Sequence, residues 1–423
     1  MEKSSWPRES LGEHVDLLTG FPFKSKFFTD DPQDIPLVKG ENVQQEYIDW
    51  EGAKRWPRND AKEYGRFRLK AGDVVLAMDR PWIEAGLKYA WIKKHDPECL
   101  LVQRVARLRG DSVLLTDYLR YLIASPAFTA YIRPIVTGVN VPHISGEQIK
   151  SFRFRLPPVE LQRKAVAILS VYDELIENNL RRMKILGEIS STIFAEWFVK
   201  FRFPGHEDSE FVDSERGRIP AGWEVSKLGD VVNNIVLGGT PSRNKPEYWG
   251  GDVPWIKSGQ LNDTRVTEGT EYITKDGLEN SATKMMPKRT VMIAITGEIL
   301  ISMSEIDLCA NQSVVGIHSS GKLCQEYIYE FEKSNINQFV SKMSGSAQQH
   351  VNKEIVTYSL ILVPSPGVMN EFERTVKPIF DEIANLLFKN KNLGRTRDLL
   401  LPRLISGELD VSDLDIKAED DKG

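Results

Sequence analysis

Apolar residues recur every three or four positions through Leu161, Ala165, Leu169, Tyr172, Ile176, Leu180, Met183, Leu186, Ile189, Ile193 and Trp197. That spacing places them on one stripe of a helix. Pro157-Pro158 ends what precedes the run, and only Gly187 interrupts it. Arg163, Lys164, Glu174, Glu177 and Arg181 fall on the other faces. The pattern predicts a helix of roughly 40 residues, about 60 Å long at 1.5 Å per residue. A second run follows Pro364 to Pro366, through Phe372, Val376, Ile379, Ile383 and Leu387, past Asn390 and Leu393, to an expected end near Pro402 or Gly407. Pro378 has no amide hydrogen to donate, so a kink or a late start is expected there. Too little globular sequence surrounds these helices to hide their stripes. They are expected to pair as an antiparallel coiled coil, or to pack on partner helices. A pair of ordinary core helices is the plainer alternative.

The remaining sequence reads as short strands with Gly/Pro turns, and it occurs twice. Leu11-Gly12-Glu13-His14-Val15 resembles Leu228-Gly229-Asp230-Val231-Val232, Ile35-Pro36-Leu37-Val38-Lys39 resembles Val253-Pro254-Trp255-Ile256-Lys257, and Val74-Val75-Leu76-Ala77 resembles Val291-Met292-Ile293-Ala294. Gln103-Arg104-Val105, Tyr118, Pro142-His143-Ile144 and Leu156-Pro157 find counterparts in Gln312-Ser313-Val314, Tyr327, Gln349-His350-Val351 and Val363-Pro364. The offset drifts in one direction, from about 217 to about 207 residues, as a duplication with one longer loop would give. The expected fold is α+β: two repeat-related mixed α/β domains, each followed by a long helix. The segments are 1–156, a helix over 157–203, an acidic linker over 204–218, 219–363, a helix over 364–407 and an acidic tail over 408–423.

A length of 423 residues supports more than one core. No apolar run approaches the roughly 20 residues that span a bilayer, and Met1 to Pro7 has no signal-peptide core. Cys99, Cys309 and Cys324 are odd in number and far apart, which suits reduced thiols in the cytoplasm. The net charge of -5 argues against nucleic acid until its distribution is read. Acid concentrates in the linker (Glu207, Asp208, Glu210, Asp213, Glu215) and after Gly407, while Lys54, Arg55, Arg58, Lys62, Arg66, Arg68 and Lys70 make a basic stretch. A local basic face can bind phosphates on an acidic chain, although a solvated surface has the same composition.

Several motifs then point to one family. Pro157-Pro158-Val159-Glu160-Leu161-Gln162 leads into the first helix and Phe194-Ala195-Glu196-Trp197-Phe198-Val199 leaves it. Ile219-Pro220-Ala221-Gly222-Trp223-Glu224-Val225 with Leu228-Gly229 opens the second copy, Gly239-Thr240-Pro241-Ser242 forms a loop, and Leu399-Leu400-Leu401-Pro402-Arg403-Leu404-Ile405-Ser406-Gly407-Glu408-Leu409 closes the second helix. These segments, over nearly the whole chain, resemble type I restriction-modification specificity subunits. The resemblance implies two target-recognition domains, each reading half of a split sequence in double-stranded DNA. It implies two methyltransferase subunits on the helices, with S-adenosylmethionine as methyl donor to adenine, and two restriction (translocase-nuclease) subunits using ATP and Mg²⁺. None of these cofactors is expected in this chain.

The chain's own chemistry agrees with a reader. It has no Gly-x-x-x-x-Gly-Lys-Ser/Thr phosphate-binding loop, no Asn-Pro-Pro-aromatic run and no zinc-spaced His/Cys cluster, so no catalytic or metal-ligating residue is expected. His143 and His350 occupy equivalent places, which favours structural roles. Candidate DNA contacts are polar loops after short buried strands, because base edges are read by Asn, Gln and Arg while phosphates position the protein. In the first copy these are Lys39 and Asn42, Arg80 and Trp82, and Gly138 and Asn140. In the second they are Thr240, Ser242 and Arg243, then Lys257, Ser258 and Gln260, then Thr296, Gln348 and Gln349. Turn chemistry accounts for the same residues without any ligand. Partner contact is expected at Leu169, Tyr172, Ile176, Leu180, Met183, Ile379, Ile383 and Leu387. Rival readings are an enzyme with an unrecognised motif, a coiled-coil scaffold without DNA contact, and a reader in another DNA-defence system.

Overall fold

A computed structural model describes residues 6–83, 85–136, 142–261, 265–319, 321–337 and 352–416. The chain divides into two units, Met1–Leu175 with Leu393–Gly423, and Ile176–Asn392. The division falls inside both long helices, so each unit contains one globule and half of each helix.

In the first unit, an antiparallel sheet runs in the order Val15–Thr19, Val105–Gly110, Val74–Ala77, Tyr89–Trp91. Val74–Ala77 is a run of four apolar residues, all buried, as an interior strand requires. Helix Thr116–Ala124 packs beside it through Tyr118, Leu119 and Leu122. The same core contains Ala165 and Leu169 from the central helix and Leu401, Leu404 and Ile405 from the distal helix. Lys164 reaches the Ser412 carbonyl and Asp173 reaches Arg397, so the two helical halves run antiparallel.

The second unit repeats the scheme. Its sheet runs Asn234–Leu237, Val314–His318, Val291–Ala294, Ile301–Ser304, with Arg265–Val266 added in parallel. The first four strands have the order found in the first unit, so the duplication read in the sequence is present in the topology. Helix Gln325–Ser334 corresponds to Thr116–Ala124. Phe194, Phe198, Tyr327 and Phe372 form the aromatic centre of its core, with Phe198 edge-on to Tyr327 at 4.7 Å and to Phe372 at 4.8 Å.

The central helix spans Val159–Phe194 and ends in a π turn, Ala195–Val199. The distal helix spans Pro366–Ile405. It starts at Pro366, where the missing N–H costs nothing, and runs on through Pro378 and Pro402; the late start expected after Pro378 is not what forms. Gly407 lies just past its end at φ +69°, the left-handed conformation that suits glycine, and a Cβ there would meet the Trp6 ring at 2.5 Å.

Each globule is fastened to the helices by charge, half-buried in the first unit and buried in the second. In the first unit Arg397 makes a bidentate bond to Glu46 (2.7 and 2.9 Å) and a third bond to Asp173 (2.9 Å). Asp173 also accepts from the Tyr121 hydroxyl at 2.6 Å. In the second unit Arg265 pairs with the fully buried Glu305 at 2.6 Å and lies over the Phe380 ring at 4.4 Å, while Arg289 reaches Asp381 of the distal helix. Ions this buried are tolerated only when paired.

Candidate nucleic-acid interface

The strand Ile35–Val38 delivers the turn that begins at Lys39. Asn42 is buried. Its Oδ1 accepts from the Lys39 amide (2.8 Å) and its Nδ2 donates to the Leu37 carbonyl (3.0 Å). The side chain expected to read a base is thus spent on the turn. Lys39 pairs with Glu41 and lies 5.3 Å from the Phe28 ring centre. Lys88, buried by the same turn, donates to the Gly40 carbonyl, and burial pulls its ammonium below the ordinary lysine range. Nothing in the sequence marks Lys88, which is an isolated lysine between strands.

Arg80 is exposed and left-handed at φ 44°. Beside it, Asp79 accepts from Arg104 and sits 2.5 Å from His143 Nδ1. Trp82, expected in a loop, instead begins a two-residue strand paired with Gly86–Leu87, and Arg133 stacks 5.5 Å from its ring. Asp79, Arg104 and His143 thus surround the Arg80 loop as one polar cluster that the sequence marks only at Arg80 and Trp82. Gly138, Asn140, Gln348, Gln349 and His350 lie outside the described residues. Part of the basic stretch is paired in place: Lys54 with Asp30 (2.8 Å), and Arg58 (3.0 Å) and Arg68 both with Glu98. Lys62, Arg66 and Lys70 are exposed.

In the second unit two candidate loops converge on one carboxylate. Arg243 pairs with Glu271 through both terminal nitrogens, and Lys257 Nζ lies 2.9 Å from the same side chain. Hydrogen bonding from Arg243, then from Lys257, pulls the Glu271 carboxyl down to about 2. The Arg243 guanidinium stacks 3.5 Å from the Trp249 ring centre. Gln260 Oε1 caps the Lys257 amide at 2.8 Å and accepts from Thr270 at 2.8 Å. Thr240 donates to Gln312 at 2.6 Å, Ser242 accepts from the Trp249 indole through its carbonyl, and Ser258 opens a short 3-10 turn. Thr296 follows the strand Val291–Ala294 and is half-buried. The result is a rim of two cations and an indole around a single acid. Glu271 carries no motif that would flag it in the sequence.

Among the described residues one group could converge on a metal: Glu9, Glu13 and His14. The Glu13 hydrogen bond raises the Glu9 carboxyl and the Glu9 hydrogen bond lowers that of Glu13, and His14 is held by Asp111 at 3.1 Å.

The profile of the "Type I restriction modification DNA specificity domain" matches residues 4–185 and again 220–367, one stretch for each globule with its helix start. The chain belongs to this family. Among relatives, the type I restriction enzyme MjaIX specificity subunit of Methanocaldococcus jannaschii is 26% identical over 306 residues, covering 71% of each chain. The HindI specificity subunit of Haemophilus influenzae is 23% identical over 404 residues, covering 81% of this chain and 87% of that one. The crystal structure of the type I restriction-modification S subunit from M. genitalium shares the fold, with a TM-score of 0.56 at 14% identity over 95% of this chain and 96% of that one.

In this specificity-domain protein the helices do not present the face that periodicity selects. Leu169 is fully buried in the first unit's own core, and Ile383 is buried in the second unit. Tyr172, Ile176, Met183, Ile379 and Leu387 are half-buried. Leu180 is 53% exposed, and Ile185 and Ile189 of the same unit are exposed with it. The buried line of the second unit carries polar residues instead. Asn179 donates to Asn390 Oδ1 at 2.7 Å, and Ser190 donates to Glu330 at 2.8 Å. A paired asparagine in a helix seam fixes register at some cost in stability. Leu180→Asp therefore leaves folding within about 0.5 kcal/mol of the parent, as exposed substitutions do, and places a charge at an exposed apolar position. The expected result is an unchanged melting profile with loss of subunit association; a marked drop in melting temperature would place Leu180 in an internal seam.

Proposed function

We propose that this chain is the DNA-specificity subunit of a type I restriction-modification complex, reading a bipartite target in double-stranded DNA with one recognition domain per half. The observation that carries this is the doubling: two globules of the same strand order, each matched separately by the family profile and each closed by halves of both helices. The polar clusters around Arg80 and around Glu271 supply the base- and phosphate-contacting groups. The chain itself is non-catalytic and acts in the cytoplasm. It assembles with two methyltransferase and two restriction subunits, and S-adenosylmethionine, ATP and Mg²⁺ belong to those partners. The exposed Leu180, Ile185 and Ile189 are apolar positions of the central helix offered to them.

Exchange of residues 1–150 for the first domain of another family member tests this reading. Sequencing of methylated adenines is expected to show one half of the target replaced and the other half kept. Replacement of both halves would overturn the two-reader scheme. The incoming domain must bring an acid to the place of Glu46, since Arg397 lies outside the exchanged segment.

A further inference from the structure

Arg243 is held at its end, on one face and along its backbone. Glu271 takes both terminal nitrogens, with Nη2 donating to Oε1 at 3.0 Å. The Trp249 ring covers one guanidinium face, and the buried Trp255 ring centre is 5.3 Å away. Trp249 donates to the Ser242 carbonyl at 3.2 Å and Trp255 to the Gly239 carbonyl at 3.0 Å, so both indoles tether the segment that leads to Arg243. The acid is placed as firmly. Glu271 opens the strand Glu271–Ile273, in register with Trp255, and Gln260 ties the preceding Thr270 to the Lys257 turn. With its carboxyl held at about 2 by Arg243 and then Lys257, Glu271 is ionised at neutral pH.

The first copy makes the same link with the charges exchanged. The counterpart of Trp255 is Leu37, and its amide donates to the Lys54 carbonyl at 2.9 Å, so Lys54 stands where Glu271 does. Lys54 pairs with Asp30, in the loop before the strand Ile35–Val38, as Glu271 pairs with Arg243, in the loop before the strand Trp249–Ile256. Lys54 and Asp30 are both exposed. A tie between loop and strand thus works with either polarity. The stacked guanidinium, bonded through both ends, is what the second copy adds.

The clamp leaves one edge open. End-on pairing uses one N–H of each Nη, so the Nε–H and a second N–H beside it remain as parallel donors in the guanidinium plane. Among the described residues that edge has no partner, and the side chain is 48% exposed. A phosphate is met as well by a mobile lysine, so fixing the arginine adds little there. Discrimination between bases depends on direction, and two parallel donors match the O6 and N7 acceptors of guanine in the major groove. We propose that Arg243 reads a guanine in the half-site of the second recognition domain and that Glu271 is the residue that positions it. This rests on the reading above that the chain is a DNA reader. Lys257, on the same carboxylate, leaves the cluster net positive beside the DNA backbone.

The test uses the full chain in purified complex with its methyltransferase subunits. The half-site of the second domain is the half that survives exchange of residues 1–150, and it is expected to contain a G·C pair. Binding is measured on duplexes in which each guanine of that half is replaced in turn by 7-deazaguanine, which lacks the N7 acceptor. One replacement is expected to weaken the unaltered complex about tenfold and to leave the binding of Arg243→Ala unchanged. Glu271→Gln is expected to lose most of that discrimination while binding unrelated duplex at least as tightly, because two cations are released; a merely structural role would lower both together. Glu271→Asp is expected to recover part of the discrimination. Amide exchange in strands Val291–Ala294 and Val314–His318 checks that each variant is folded. A second half-site without guanine, or a folded Arg243→Ala that keeps the full response to 7-deazaguanine, overturns the guanine reading. So does a loss that is uniform over all sequences with a shallower salt dependence, the mark of a phosphate contact; the reader scheme then stands. Discrimination left intact in Glu271→Gln overturns the positioning role. An unaltered complex that methylates no bipartite target sinks both readings.

Discussion

Arg397→Ala is expected to cost the first unit about 2–3 kcal/mol, because it takes the shared cation from two half-buried carboxylates, leaving Asp173 with Tyr121 and Arg120 and Glu46 with the Tyr89 hydroxyl. Arg397 is 13% exposed and Asp173 12%, and the guanidinium is the group that joins Asp173 to Glu46. Burial pulls the Arg397 guanidinium down, but the Glu46 and Asp173 carboxylates more than offset it, so it stays charged throughout the accessible pH range. Its loss also frees the chain at Glu46, which holds φ 71°, a left-handed conformation uncommon for a residue with a side chain. Glu46 ends the turn that begins at Lys39, so the same change loosens a candidate DNA-contacting loop. Amide exchange is the suitable measurement, since two units need not unfold together. Protection should fall in the first unit's strands and remain in the second's. A loss below about 1 kcal/mol, the range of an exposed ion pair, would show that the node is not a clasp. Arg397→Lys should recover only part, because a lysine cannot make the bidentate bond.

Glu332→Gln is expected to stabilise the second unit, and increasingly so as pH rises. Glu332 lies on Gln325–Ser334 with no exposed surface, and neither carboxylate oxygen has a hydrogen-bond partner. Burial pushes its carboxyl up to about 8 from an ordinary value of 4.5, opposed by the nearby Arg216 charge. A raised acid keeps its proton in the folded state at pH values where the unfolded chain has lost it. Stability is therefore highest below about pH 4.5 for this group and drains away as pH climbs toward 8. Glutamine has no proton to lose and removes that slope. Unfolding at pH 5 and pH 8 should show the variant's advantage growing to the order of a few kcal/mol. An advantage independent of pH would mean that Glu332 is ionised in the folded protein.

The architecture was legible because it is repeated and periodic. Two similar runs of short strands, each ending in a proline stop and a 3.6-residue apolar stripe, lead directly to the two sheets of like order and the two helices. The helix faces were less legible. Periodicity takes every apolar position as inward, yet Leu180 and Ile189 are exposed while Asn179 and Ser190 are buried against Asn390 and Glu330. Partners some 140 to 210 residues away in sequence decide those positions, and no local pattern encodes them. The loops were half legible. Arg243 and Lys257 were singled out from separate segments, but Glu271, which gathers them, has no local mark. Asn42 has the right chemistry for adenine and is consumed by its own turn. A side chain that caps a turn and one that reads a base look the same until the hydrogen bonds are drawn.

The helix halves also order the chain in time. Leu161, Ala165 and Leu169 are covered by Leu401, Leu404 and Ile405, which follow more than 200 residues later. Synthesis at about 5–20 residues per second puts roughly 10–50 s between the two. The second unit is one continuous span, Ile176–Asn392, and can close first. On the ribosome, the first globule to emerge is therefore the last to be finished, and it waits with an apolar flank open. That interval is when a chaperone, or an already folded partner, has access to a surface that the mature protein hides. A lesion near Leu401 would be felt as a failure of the amino-terminal reader, far from where the sequence change was made.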